Sequence, residues 1–158
     1  GEPTHFVEQI YNSIGIDFTK RKWIGLLNDI NSKDNDHLER LAGFVFGRIN
    51  YKMSNQKHHT IRQGYRWKVG DKFSPRVWSG KPYTSKQIII APDIEIKKIW
   101  DFSRDLISDK YYLNGHEIDA DKLELIAKND GLTIEDFKAW LNKPFLGQIL
   151  CWNESINY

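Results

Sequence analysis

The apolar positions of this chain change their period near residue 70. Before it they recur at helical spacing. Phe6, Val7, Ile10 and Tyr11 share one face behind Thr4, a candidate N-cap, and Trp23, Leu26, Leu27 and Ile30 share another. Ser13 to Thr19, with Gly15 inside it, breaks the first pattern. The polar run Asn31 to Asp36 separates the second from a third predicted helix, His37 to Ile49, which carries Leu38, Leu41, Val45 and Ile49. These segments hold no paired catalytic groups, so packing or partner contact is the expected use of their apolar faces.

Beyond residue 70 alternation takes over. Asp71 to Trp78 alternates, Ser79-Gly80-Lys81-Pro82 makes a turn, and Ser85 to Ala91 carries Ile88-Ile89-Ile90. Ile94, Ile96 and Ile99 or Trp100 predict a further strand with Phe102 near its end. Asn114-Gly115, between Tyr111-Tyr112-Leu113 and His116-Glu117-Ile118, is the strongest hairpin signal. Asp119 then reads as the cap of a helix with Leu123, Ile126 and Ala127 inward, stopping at Asn129-Asp130-Gly131, where glycine suits a left-handed position. Thr133 and Asp136 resemble a capping box opening a helix with Phe137, Trp140 and Leu141 apolar; Pro144 ends it, and Gly147 to Asn153 is a last strand. Helices, strands, two helices and a strand predict an α+β domain with a small, strongly bent sheet or barrel. With 158 residues and no repeat or linker, residues 1–158 are expected to form one domain.

Composition narrows the classes. The hydrophobic share of 40% and charged share of 28% suit a soluble globular chain. No apolar run approaches the roughly 20 residues of a membrane helix and no signal peptide is evident, so a cytoplasmic protein with no membrane partner is expected. The lone Cys151, in the run Gln148 to Trp152, reads as a buried, inert thiol in a reducing compartment. Charge is placed unevenly. From Lys57 to Lys86 eight Lys/Arg stand against the single Asp71, a surplus of +7 in a chain whose total is +2, so the rest carries −5. With Tyr65, Trp67, Trp78 and Tyr83 interleaved, this stretch suits a polyanion with stackable bases; the alternative is a solvated basic surface.

Candidate chemistry concentrates in Lys57-His58-His59-Thr60-Ile61-Arg62 and Gln63 to Asp71 after it. Adjacent histidines point in different directions on a strand, and neither a Cys pair nor HExxH occurs, so no metal is expected. GxxxxGK[ST], GxGxxG and GxSxG are all missing, which removes the common nucleotide hydrolases and dehydrogenases, and no cofactor is expected.

Lys57-x-x-Thr60-Ile61-Arg62, the following Val69-Gly70-Asp71-Lys72, and Asp130 ahead of the Thr133-capped helix resemble the landmarks of the ASCH family, relatives of the PUA RNA-binding fold. The resemblance covers Lys57 to Trp152 together with the first helix. It implies a PUA-like barrel with flanking helices and a basic cleft for RNA or a modified nucleotide. Arg62, Arg66 and Lys68 would contact phosphate, and Tyr65 or Trp67 would stack a base. Some small ASCH proteins are amidohydrolases of acetylated cytidine, using a Lys, a Thr and an acidic residue. Those roles fall on Lys57, Thr60 and Asp130, the last an Asp where the enzymes have Glu. Residues 13–55 separate the first helix from the Lys57 motif and read as a helical insertion that could dock a protein partner. RNA or nucleotide binding is the first expectation, the amidohydrolase the second, and a protein-interaction unit the third.

Overall fold

The computed structural model describes residues 9, 10, 13, 14, 56–78, 81 and 83–158. The second and third predicted helices lie outside these residues, as does the expected insertion apart from residues 13 and 14. Residues 9, 10, 13 and 14 are helical, the last two lying where the broken apolar spacing predicted an end.

The strands are β1 (His59–Gln63), β2 (Lys72–Phe73), β3 (Arg76–Trp78), β4 (Gln87–Ile89), β5 (Ile94–Glu95), β6 (Lys98–Asp105), β7 (Lys110–Leu113), β8 (His116–Glu117) and, after helices α1 (Ala120–Asn129) and α2 (Ile134–Trp140), β9 (Phe145–Cys151). The architecture is mixed α+β. Five strands form an antiparallel sheet in the order β1-β9-β6-β7-β8, and β2-β5 and β3-β4 form two separate antiparallel pairs. Among the described residues the pairing does not close into a ring. No helix among them is long and apolar enough to cross a membrane.

One sheet face builds the main core. Ile61, Phe102, Tyr111, Leu113 and Ile149 pack under Leu123, Ile126 and Ala127 of α1, with Phe137 of α2 and Leu141 just beyond it. Full burial of such a side chain contributes about 1.5–3 kcal/mol. The helices are capped locally, as their sequences predict. Asp119 accepts a hydrogen bond from the Lys122 amide at 2.8 Å, and Thr133 accepts from the Asp136 amide while its hydroxyl donates back to the Asp136 carboxylate. Asn114 and Gly115 both take positive φ at the β7–β8 turn, the geometry for which Asn-Gly is suited. Cys151 is buried, and burial pushes its thiol pKa up.

Strand boundaries depart from the sequence reading in several places, among them the last strand, expected over Gly147 to Asn153 and found at Phe145–Cys151. The first strand is β1, inside the basic stretch, rather than the run from Asp71. That run divides into β2 and β3 just after Pro75, which has no N–H to donate and only accepts, from the Ile90 amide. The strand expected around Ile94 to Phe102 divides into β5 and β6, and β6 continues to Asp105.

Candidate functional site

The sheet order brings the start of β1 to the end of α1. β1 lies along β9, with His59 opposite Cys151 and Ile61 opposite Ile149, and the His58 amide donates to the Asn129 carbonyl at 2.8 Å. Asp130 is the C-cap of α1, still in right-handed geometry, and Gly131 then turns the chain at φ +79°. That places Lys57 against a helix C-terminus, where carbonyls lack intrahelical partners and a cation is favoured. Lys57 Nζ donates to Asp130 Oδ1 and to the Asp130 carbonyl oxygen, both at 2.6 Å. The residues are only 5% and 6% exposed, so this ion pair belongs to the interior. Burial lowers the Lys57 pKa and raises that of Asp130, while their mutual attraction opposes both shifts; the Arg62 charge lowers each slightly. From the other side, the Lys57 amide donates to the Gln9 carbonyl, and Gln9 Nε2 donates to the Gly131 carbonyl.

His59 is the third buried group. Its ring is fully buried, with Nε2 3.1 Å from the Ile126 carbonyl oxygen. A carbonyl only accepts, so Nε2 carries the hydrogen and Nδ1 is left with a bare lone pair. Among the described residues that Nδ1 has no hydrogen-bond partner, and it lies 3.7 Å from Asp130 Oδ1, too far for a bond. Desolvation first, and the Lys57 charge second, hold the His59 pKa well below the usual histidine range. The Tyr158 ring meets the imidazole edge-on at 5.7 Å, and its hydroxyl accepts from Asn129 Nδ2 at 3.0 Å. Lys98 grips the chain before Tyr158 by donating to the Glu154 and Ile156 carbonyls and to Asn157 Oδ1. The sequence reading passed over His59 because its partners lie about seventy residues away. The one available signal was alternation, which puts His59 on the same strand face as core residue Ile61.

Thr60 goes elsewhere. Alternation turns it to the opposite face of β1, opposite Leu150, and no hydrogen bond among the described residues joins it to Lys57 or Asp130. Of the three residues that the family resemblance groups, Lys57 and Asp130 are in contact and Thr60 is not bonded to either.

The loop after β1 has a different character. Gly64 and Gly70 bound it, both at positive φ, where a side chain would be strained. The Gly64 amide donates to the Leu146 carbonyl and the Gly70 amide to that of Ile96. Between them, Gln148 holds Trp67 by its backbone: Gln148 Oε1 accepts from the Trp67 amide at 3.1 Å, and Nε2 donates to the Trp67 carbonyl at 3.3 Å. The Lys68 amide donates to Asp71 Oδ2. On this anchored backbone Arg62, Arg66 and Lys68 are exposed, and Tyr65 is 55% exposed. Trp67 is half-buried, with the Arg66 guanidinium 5.2 Å from its ring centre and Phe73 edge-on behind it. Tyr65 is therefore the ring presented to solvent, while Trp67 packs against Phe73 with the Arg66 guanidinium beside it.

Among the described residues no group of three or more His, Cys, Asp or Glu gathers as a metal site would. No family model, no curated protein and no solved structure matches this chain. What it does has to be argued from its own residues.

Proposed function

We propose that this chain is a PUA-like, ASCH-type domain, its bent sheet completed as a small barrel, that binds RNA or a nucleotide through the loop Arg62–Lys68. The observation that carries this reading is the anchored loop, on which Tyr65, Arg66 and Lys68 are exposed, with Arg62 exposed on the end of β1 that leads into it. Cations on a prearranged backbone take phosphate without a further ordering cost, and a tyrosine face accepts any base. The Lys57–Asp130 pair lies at the other end of β1 and ties the start of that strand to the end of α1. The test is binding of short oligoribonucleotides across a salt series. Affinity is expected to fall steeply with salt, and Arg66→Ala to weaken binding and lower the salt slope by about 1. Binding indifferent to salt overturns the proposal.

The contact between Lys57 and Asp130 favours a second reading, amide hydrolysis on an acylated pyrimidine nucleoside. A lysine works as a base only when its pKa is brought down, and burial acts in that direction here. Lys57 would take the proton of an attacking water, the acyl C–N bond would break, and the amine would leave with that proton, Asp130 orienting Lys57 throughout. The substrate must first open the interior that covers both groups. Product release from acylated nucleosides, abolished in Lys57→Ala, supports this reading; no product at high protein concentration excludes it.

A further inference from the structure

The β3–β4 hairpin presents a second aromatic position. Tyr83 is 89% exposed and its backbone sits at φ +64°, a conformation that a bulky side chain rarely takes and that must be held by its surroundings. The holding is visible. The Thr84 and Ser85 amides and both their hydroxyls all donate to the Lys81 carbonyl, at 2.8–3.3 Å. The Tyr83 ring leans on Trp78 of β3, with centroids 5.4 Å apart. Arg76, Lys81 and Lys86, all within eight residues of the pair in sequence, are exposed, and no acidic residue lies between Asp71 and Asp93. A large ring held out into water among cations is poorly used as core and well used as a stacking face.

We propose that Tyr83, backed by Trp78, is a second base-stacking position, and that the ligand is a single strand of several nucleotides rather than a free nucleoside. This rests on the nucleic-acid reading above and narrows it. Phe73 touches Trp67 of the first position, and the five residues from Phe73 to Trp78 span at most about 17 Å. At about 3.4 Å per stacked nucleotide up to roughly five nucleotides bridge that distance, so an octanucleotide is long enough to reach both positions, and the proposal has a dinucleotide occupy one. The basic run links the two positions with one intervening acid, Asp71, whose carboxylate accepts from the Lys68 amide, and its surplus of cations supplies the path for the backbone phosphates.

The experiment compares wild type, Tyr83→Ala and Tyr83→Phe with cytidine, a dinucleotide and an octanucleotide of RNA at fixed low salt. Tyr83 is exposed, so the variants should keep the wild-type unfolding transition. Wild type is expected to bind the octanucleotide more tightly than the dinucleotide. Tyr83→Ala should lose about tenfold on the octanucleotide and nothing on the dinucleotide, and Tyr83→Phe should restore the wild-type value. Unchanged octanucleotide affinity in Tyr83→Ala overturns the second position while leaving the first intact. Equal losses on both lengths overturn it too, because the tip would not then be a separate position. Absence of oligonucleotide binding by wild type overturns the nucleic-acid reading itself, and this inference with it.

Discussion

Lys57 and Arg66 are nine residues apart, both cationic, and do opposite things. Lys57 is sealed between a helix C-terminus and the start of a strand, donates two short hydrogen bonds to one aspartate, and neighbours a neutral histidine. Arg66 stands in solvent over the half-buried face of Trp67. A buried charge is committed to its partner, and its removal leaves an uncompensated ion. An exposed one is bound to little and remains available to a polyanion. The difference shows that positive charge in this stretch does not play one part: the inner cation builds the fold, and the outer ones face solvent.

The largest expected effect tests the inner half. Asp130→Ala removes the carboxylate that faces the buried Lys57 ammonium and should cost about 3–5 kcal/mol of stability in denaturant unfolding. Replacing both partners, as in Lys57→Met with Asp130→Leu, should return most of it; a double variant no more stable than the single would show that the pair is not the origin of the loss. Next comes Gln148→Leu, at the seam between the two halves. It strips the Trp67 amide and carbonyl of their partners and should cost about 1–3 kcal/mol while also weakening oligonucleotide binding. Loss of stability without loss of binding would mean that the loop does not need its anchor.

Acidity should separate the halves more gently. The groups facing His59 are Lys57, Asp130, the edge of the Tyr158 ring and, more remotely, His58. Folded His59 resists protonation, whereas the unfolded chain protonates near pH 6.5. The unfolded state therefore takes up the proton first as pH falls. Stability from this group is full above about 6.5 and is lost below it. Asp130, raised by burial, works in the opposite sense as pH falls through its own folded value. Melting temperature should decline below pH 6.5 in wild type, and His59→Gln, which can still donate to Ile126, should flatten that decline; parallel curves would refute the assignment. Smallest of all is the effect of Arg66→Ala on stability, expected within about 0.5 kcal/mol even as binding weakens. A larger loss would make Arg66 part of the fold.

What could be read from the sequence was local. The Asp119 and Thr133 caps, the Asn114-Gly115 turn and the left-handed Gly131 each depend on residues within a few positions, and each is found where the pattern put it. β1 was missed because its apolar content is one residue, Ile61, among polar neighbours; its strand state comes from pairing with β9 across some ninety positions. The pairing of Lys57 with Asp130 came from a family resemblance, since no period or spacing connects them. His59 and Gln148 were invisible for the same reason: a buried polar side chain is recognised by its partners, and theirs are far along the chain.

Gly131 carries one more consequence. A Cβ on it would fall 1.8 Å from Gln9 Oε1, on a backbone already at φ +79°. That oxygen ends a flexible side chain, which can turn aside at the cost of its bond to the Gly131 carbonyl, so the left-handed backbone is what holds position 131 to glycine. As sequences diverge, Asn, which tolerates that backbone, is the replacement to expect at 131, and drift at position 9 should accompany it.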